Sequence, residues 1–251
     1  PVSVVRPLGD DDAPTLAAGD VVVASGGARG VTAGCLVALA KRIPGKFVLL
    51  GRTPLIDEPA GCEGADGDAA IKKALLTAAQ ASGHKVNPAE LGAQARQILA
   101  GREVRSTLAA LEAAGAQATY VSVDVLNAEA LGAALDRVRA EWGAIAGLVH
   151  AAGVLADKRI EDKDIDGFDR VYDTKVLGLA ALLEATADDD LKLLSLFSSV
   201  AGRCGNQGQS DYAMANEVLN KVAQGEAARR GADCRVRSLG WGPWAGGMVT
   251  P

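Results

Sequence analysis

Asp20-Val21-Val22-Val23-Ala24-Ser25-Gly26-Gly27-Ala28-Arg29-Gly30-Val31-Thr32 is the stretch that decides the fold of this chain. An apolar run predicts a buried strand over Asp20–Ser25, and apolar residues at three- and four-residue spacing predict a helix over Val31–Arg42. Between them, the glycines let the backbone turn sharply and approach a pyrophosphate. The helix N-terminus then offers free N–H groups and partial positive charge to the anion. A glycine-rich turn alone suits any strand-to-helix connection. Its place after the first strand makes Ser25, Gly26, Gly27, Arg29, Gly30 and Val31 candidate nucleotide ligands.

Further strands are predicted over Lys46–Gly51, Ala118–Val123, Gly147–His150, Leu193–Ser198 and Cys234–Leu239. Helices over Ala128–Trp142, Gly167–Ala187 and Asp211–Arg230 alternate with them. That alternation implies an α/β fold, a Rossmann-type doubly wound parallel sheet flanked by helices. The rhythm breaks between Thr53 and about Arg105, where a helical insertion follows the second strand. Within it Gly61, Gly64 and Gly67 suggest a loop. Asp68–Ala81 and Pro88–Leu99 read as two of two or three helices capping one edge, with Pro88 near a helix start. Residues 1–19, with three consecutive acids and several prolines, read as a connector. Residues 20–251 are expected to form one domain.

The chain has 251 residues, 49% of them hydrophobic but only 4% aromatic, which suits Val-rich parallel strands and Ala-rich helices better than a helical bundle. A net charge of −5 argues against a nucleic-acid partner, although a local basic pocket is compatible with it. No apolar stretch approaches the roughly 20 residues that cross a bilayer, and the N-terminus does not read as a signal sequence. No membrane partner and a cytoplasmic location are therefore expected. Cys35, Cys62, Cys204 and Cys234 are widely spaced, with only His84 and His150 to help, so reduced buried thiols are expected and no metal site.

The second strand ends in Arg52, where an NAD enzyme of this architecture places an acid on the ribose hydroxyls. Arg52, assisted by Arg29, suits a 2′-phosphate through charge-assisted hydrogen bonds and favours NADPH; a solvated arginine is the plain alternative. Asp124 and Val125 follow the third strand, and Asp124 suits the adenine amino group. Ala151, Ala152 and Gly153 follow the fourth and let backbone lie against the adenosine half of the cofactor. His150 reads as structural.

Ser199 ends the fifth strand, and Tyr212 and Asn216 share a face of the next helix. A carbonyl that accepts hydride needs a proton at oxygen, and a phenol beside Ser199 can bind and protonate that oxygen. Free tyrosine is a sluggish acid at neutral pH. Lys175, on the preceding helix, can stabilise phenolate charge and bind the nicotinamide ribose if it faces the site.

These motifs resemble the ketoreductase domains of polyketide and fatty-acid synthases, within the short-chain dehydrogenase/reductase family. The likeness spans almost the whole chain and rests on Phe197-Ser198-Ser199, Gly205-Asn206-Gln207-Gly208-Gln209, Tyr212-Ala213-Met214-Ala215-Asn216-Glu217 and Trp241-Gly242-Pro243-Trp244. The classical branch of that family has Tyr-x-x-x-Lys with Asn on the preceding helix; here Asn216 follows Tyr212 and Lys175 takes the other helix, as in synthase ketoreductases. Ala100–Leu108 and the helix pair before it resemble the ketoreductase of polyunsaturated fatty acid synthases in particular. Two positions depart from the family loop: Thr32 stands for its last glycine and Ser25 for its threonine.

The resemblance implies Tyr212, Ser199, Lys175 and Asn216 as catalytic residues. It implies an NADPH-dependent reduction of a β-ketoacyl thioester carried on an acyl carrier protein, with neighbouring synthase domains as partners. Leu155-Ala156-Asp157 keeps one Asp of the motif that accompanies a (3R)-hydroxyacyl product, and Cys204 replaces the Trp that accompanies (3S). That favours (3R), though Asp157 beside Lys158 equally suits a solvated ion pair. Residues from Gly240 to Pro251 would begin a lid. A free-standing dehydrogenase acting on a small alcohol, or a silent reductase-like scaffold, are the other readings this chain admits.

Overall fold

In the computed structural model, which describes residues 16–82 and 87–243, six strands form one parallel sheet. They are β1 (Val21–Ser25), β2 (Lys46–Gly51), β3 (Gln117–Ser122), β4 (Ile145–His150), β5 (Leu193–Ser199) and β6 (Arg235–Trp241). Their order, β3-β2-β1-β4-β5-β6, is that of a doubly wound Rossmann-like sheet. Seven helices accompany them among the described residues: α1 (Gly30–Arg42), α2 (Gly67–Ala81), α3 (Pro88–Ala113), α4 (Ala128–Trp142), α5 (Ile165–Ala185), α6 (Ala201–Cys204) and α7 (Ser210–Arg230). Residues 1–15 of the expected connector, His84, and residues 244–251 of the expected lid lie outside the described residues.

Successive strand residues face opposite sides, so each strand feeds two cores. Val21, Val23, Val48 and Leu50 pack with Leu131 and Leu135 of α4, Leu179 and Leu182 of α5, and Leu219 of α7. Val22, Ala24, Phe47 and Leu49 pack on the other side with Leu36 and Ala40 of α1 and Val104 and Leu111 of α3. Burial on both faces explains why β1 and β4 lack polar alternation and are without polar side chains up to their last residues, Ser25 and His150. Leu16, at the edge of the expected connector, already belongs to the second core.

The insertion differs from the sequence expectation in one respect. The helix beginning at Pro88 does not stop near Leu99 but runs on to Ala113 and becomes the crossover helix into β3. Asn87 caps its start by accepting from the amide of Ala89. Gly101 alone, costing about 1 kcal/mol against alanine, does not break a helix whose next turns bury Val104, Thr107 and Leu111 against the sheet. The front half of α3 and α2 enclose a small core of Cys62, Ile71, Leu75, Ala95 and Ile98. Arg102 holds the preceding loop, bonding Glu58 through two nitrogens at 2.7 and 2.6 Å and reaching the carbonyls of Ala65 and Cys62. The four-residue α6 has no counterpart among the predicted helices, because a single turn carries no periodicity to read.

Cys62 and Cys234 are buried and Cys35 partly so, but Cys204 is exposed at the end of α6, contrary to the expected burial. Among the described residues no helix is long and apolar enough to cross a membrane, and no cluster of His, Cys, Asp or Glu could hold a metal ion.

Candidate functional site

The carboxyl ends of the strands open onto a cleft of about 1140 Å³. One of its walls is the turn after β1. Gly26 holds φ +67°, and a Cβ there would lie 2.8 Å from the carbonyl carbon of Ala151, so only glycine fits. Arg29, the N-cap of α1, places no side-chain bond on the helix amides, which leaves that N-terminus free for an anion. Gly26, Arg29, Gly30, Val31, Ala151, Ala152 and Gly153 all line the cleft, as do Arg52, Asp124 and Val125 at the ends of β2 and β3. Thr32 is accommodated with 7% exposure in the first turn of α1.

Ser25 and Gly27 do not line the cleft among these candidates; they sit beneath the turn. A Cβ on Gly27 would lie 2.8 Å from Ala24 and Leu36. Ser25 is fully buried, and its hydroxyl lies 2.7 Å from Nδ1 of His150. The other ring nitrogen, Nε2, lies 2.9 Å from the carbonyl of Lys175. A carbonyl can only accept, so Nε2 carries the hydrogen, Nδ1 accepts, and the Ser25 hydroxyl donates. Burial, with the nearby Lys175 charge, pushes His150 down to about 3, which keeps it neutral. His150 therefore ties the turn after β1 to the main chain of α5. Sequence reasoning misses this link; its signal is the pairing of β1 with β4, whose register sets Ser25 directly against His150.

The two arginines are loosely engaged. Arg29 is 3.5 Å from Glu103 of α3, and Arg52 is 3.9 Å from Asp124, with about half of each arginine side chain exposed. Asp124 also accepts from the amide of Leu126. Thr107 of α3 donates to the carbonyl of Ala28 at 2.8 Å, so the crossover helix braces the same turn.

At the other end of the cleft Lys175, Ser199 and Tyr212 come together. The Lys175 side chain is buried; its ammonium donates to the carbonyl of Phe197 at 3.0 Å and lies 5.5 Å from the centre of the Tyr212 ring. A Cβ on Gly153 would sit 3.1 Å from Cε of Lys175, so glycine there clears room for the lysine stem. Burial holds the ammonium down to about 8. Burial also raises the Tyr212 phenol, while the nearby polar side chains of Asn216 and Ser199 pull it back. Ser199 accepts from the amide of Ala201. Asn216 lies fully buried under the tyrosine, donating to its carbonyl at 2.7 Å, and its own Oδ1 has no partner among the described residues.

Asp157 and Lys158 do not form the ion pair that adjacency suggested. Lys158 pairs with Asp164, and Asp157 instead accepts from the Gln209 amide at 2.8 Å. Each side chain finds a nearer partner instead, because the loop 205–209 packs alongside, with the Lys158 amide donating to the carbonyl of Gly208.

A doubly wound sheet with a glycine turn after β1 and a Lys, Ser and Tyr group at the carboxyl edge defines the short-chain dehydrogenase/reductase architecture. A sequence profile described as the KR domain matches residues 20–246, and the chain belongs to that ketoreductase family. It is 45% identical over 240 residues to a polyunsaturated fatty acid synthase subunit from Thraustochytrium sp., matching 92% of this chain and 8% of that protein. The ketoreductase from the first module of phoslactomycin biosynthesis in Streptomyces sp. HK803 superimposes with a TM-score of 0.68 at 26% identity, covering 94% of this chain and 44% of that one. Carveol dehydrogenase from Mycobacterium avium, solved in complex with NAD, shares the fold at 19% identity and a TM-score of 0.64, covering 88% and 69%. This chain thus spans a small part of the curated synthase it matches.

Proposed function

We propose that this chain reduces a β-ketoacyl thioester, carried on an acyl carrier protein within a polyunsaturated fatty acid or polyketide synthase, to the (3R)-hydroxyacyl product, using NADPH. The observation that carries this reading is the buried Lys175 ammonium 5.5 Å from the Tyr212 ring, in a cleft shared with Ser199. The N-terminus of α1 without a side-chain cap, the glycine at 26 and the volume of the cleft fit a dinucleotide. NADPH, when bound, would supply the hydride for the carbonyl carbon. Gly26, Arg29, Gly30 and Val31 would hold its pyrophosphate. Arg52 and Arg29, loosely paired, can turn to a 2′-phosphate. Asp124, Val125, Ala151, Ala152 and Gly153 would receive the adenosine half, and Ser25 and Gly27 support the turn.

Ser199 and the Tyr212 hydroxyl bind the ketone oxygen, and Tyr212 donates its proton as that oxygen gains charge. The Lys175 ammonium, desolvated and therefore strongly felt, stabilises the phenolate left behind. Asn216 fixes the first turns of α7 beneath Tyr212.

Following NADPH oxidation with a β-ketoacyl thioester tests the reading. Tyr212→Phe should lose about 10²- to 10⁴-fold in kcat while still binding NADPH. NADH should serve poorly, and Arg52→Ala should narrow that preference. Because protonated Lys175 is the useful form, kcat/KM for reduction should fall as pH rises through about 8. A folded protein that binds NADPH yet never oxidises it with any β-ketoacyl thioester would contradict the proposal and favour a silent scaffold.

A further inference from the structure

Lys163 lies between β4 and α5, where a lysine is ordinarily solvated, yet only 6% of its side chain is exposed. Its ammonium donates to Oδ2 of Asp211 at 2.8 Å and to the carbonyl of Ala156 at 3.0 Å. Asp211 is 1% exposed and stands in the first turn of α7, where helix polarity favours an acid. Its Oδ1 accepts from the amide of Tyr212 at 2.8 Å. One ammonium thus joins the loop after β4, the approach to α5 and the turn that presents Tyr212. The joined loop matters to the cleft, because Leu155, next to the tethered Ala156, lines the same cleft as Tyr212.

A buried ion pair is a poor way to gain stability, since both charges give up water, and an apolar pair of similar volume often does as well. What such a pair does supply is a fixed, directional distance. Other links between these segments, Lys158 with Asp164, Asp157 with Gln209 and the amide of Lys158 with the carbonyl of Gly208, involve exposed or partly exposed residues and hold more weakly.

Resting on the reductive reading of this cleft, we propose that Lys163 and Asp211 are positioning residues. Their ion pair sets the wall at Leu155 against the Tyr212 phenol and so fixes which face of the ketone is presented for reduction.

The test compares wild type, Lys163→Arg, Lys163→Met and the double variant Lys163→Met with Asp211→Asn. The double variant removes both charges at nearly constant shape, so it keeps the test decisive if the single variant fails to fold. Expected are a kcat lower by about 10- to 100-fold in the double variant, a KM for NADPH close to wild type, and a loss of enantiomeric purity in the hydroxyacyl product. Lys163→Arg should recover part of both. Amide hydrogen exchange in residues 154–163 should quicken while β4 stays protected. A folded double variant with wild-type kcat, product purity and exchange would overturn the proposal. If the wild type itself reduces nothing, the functional reading fails on its own; exchange then still decides the tether, faster supporting it and unchanged refuting it.

Discussion

Leu148 in the sheet and Ile71 in the inserted arm are both completely buried, but they answer to different neighbourhoods. Leu148 belongs to a core that spans β1, β2, β4, β5, β6 and three helices. Ile71 shares its core with four other buried residues, and the loop before it is held by the Arg102 side chain. The body is thus organised by apolar area, which is non-directional and large, whereas the arm leans on a polar clasp of defined geometry. The same depth of burial therefore carries different consequences: damage in the body should be global, damage in the arm local.

The largest effect is expected at Leu148→Ala, which should cost about 2–5 kcal/mol and lower the midpoint of a single cooperative unfolding transition by denaturant. A second prediction probes the polar knot inside the body. His150 titrates at about 3 in the fold and near 6.5 in the unfolded chain, so in that interval only the unfolded state takes up the proton. Stability should therefore fall on acidification, by about 2 kcal/mol between about pH 6.5 and about pH 5, and His150→Asn should lack that component of the slope. The smallest global effect is expected at Arg102→Leu. Limited proteolysis should cut the loop between Leu55 and Asp66 faster, while the unfolding midpoint of the body hardly moves. A large global loss at Arg102→Leu would erase the contrast between body and arm.

The same contrast explains what can be read from the residues alone. Strand-length apolar runs and helical spacing belong to the body and disclose its sheet, its helices and the turn at Gly26. Periodicity foreshortens helix α3 because its front half serves the arm and its back half the body, two patterns on one helix. Lys175, Ser199, Tyr212 and Asn216 are legible as a set through the resemblance; the first three line one cleft, while Asn216 is buried beneath Tyr212 and bonds its main-chain carbonyl. Lys163 with Asp211, and Thr107 with Ala28, are not legible: each pair joins distant segments through an irregular loop or turn, where no period constrains which side chain meets which. Ser25 and Gly27 part from the other turn residues for a related reason, since a glycine-rich turn has an inside as well as an outside and only coordinates separate the two.

The central claim is that this cleft transfers hydride to a β-ketoacyl carbonyl with Tyr212 as proton donor. The direct measurement is to supply NADPH carrying deuterium at the transferred position of nicotinamide C4, with a β-ketoacyl thioester, and to read the product by mass spectrometry and chiral chromatography. A (3R)-hydroxyacyl product carrying a single deuterium on the former carbonyl carbon, absent with Tyr212→Phe, is the predicted result. An unlabelled product, or label transfer that survives Tyr212→Phe undiminished, would contradict it.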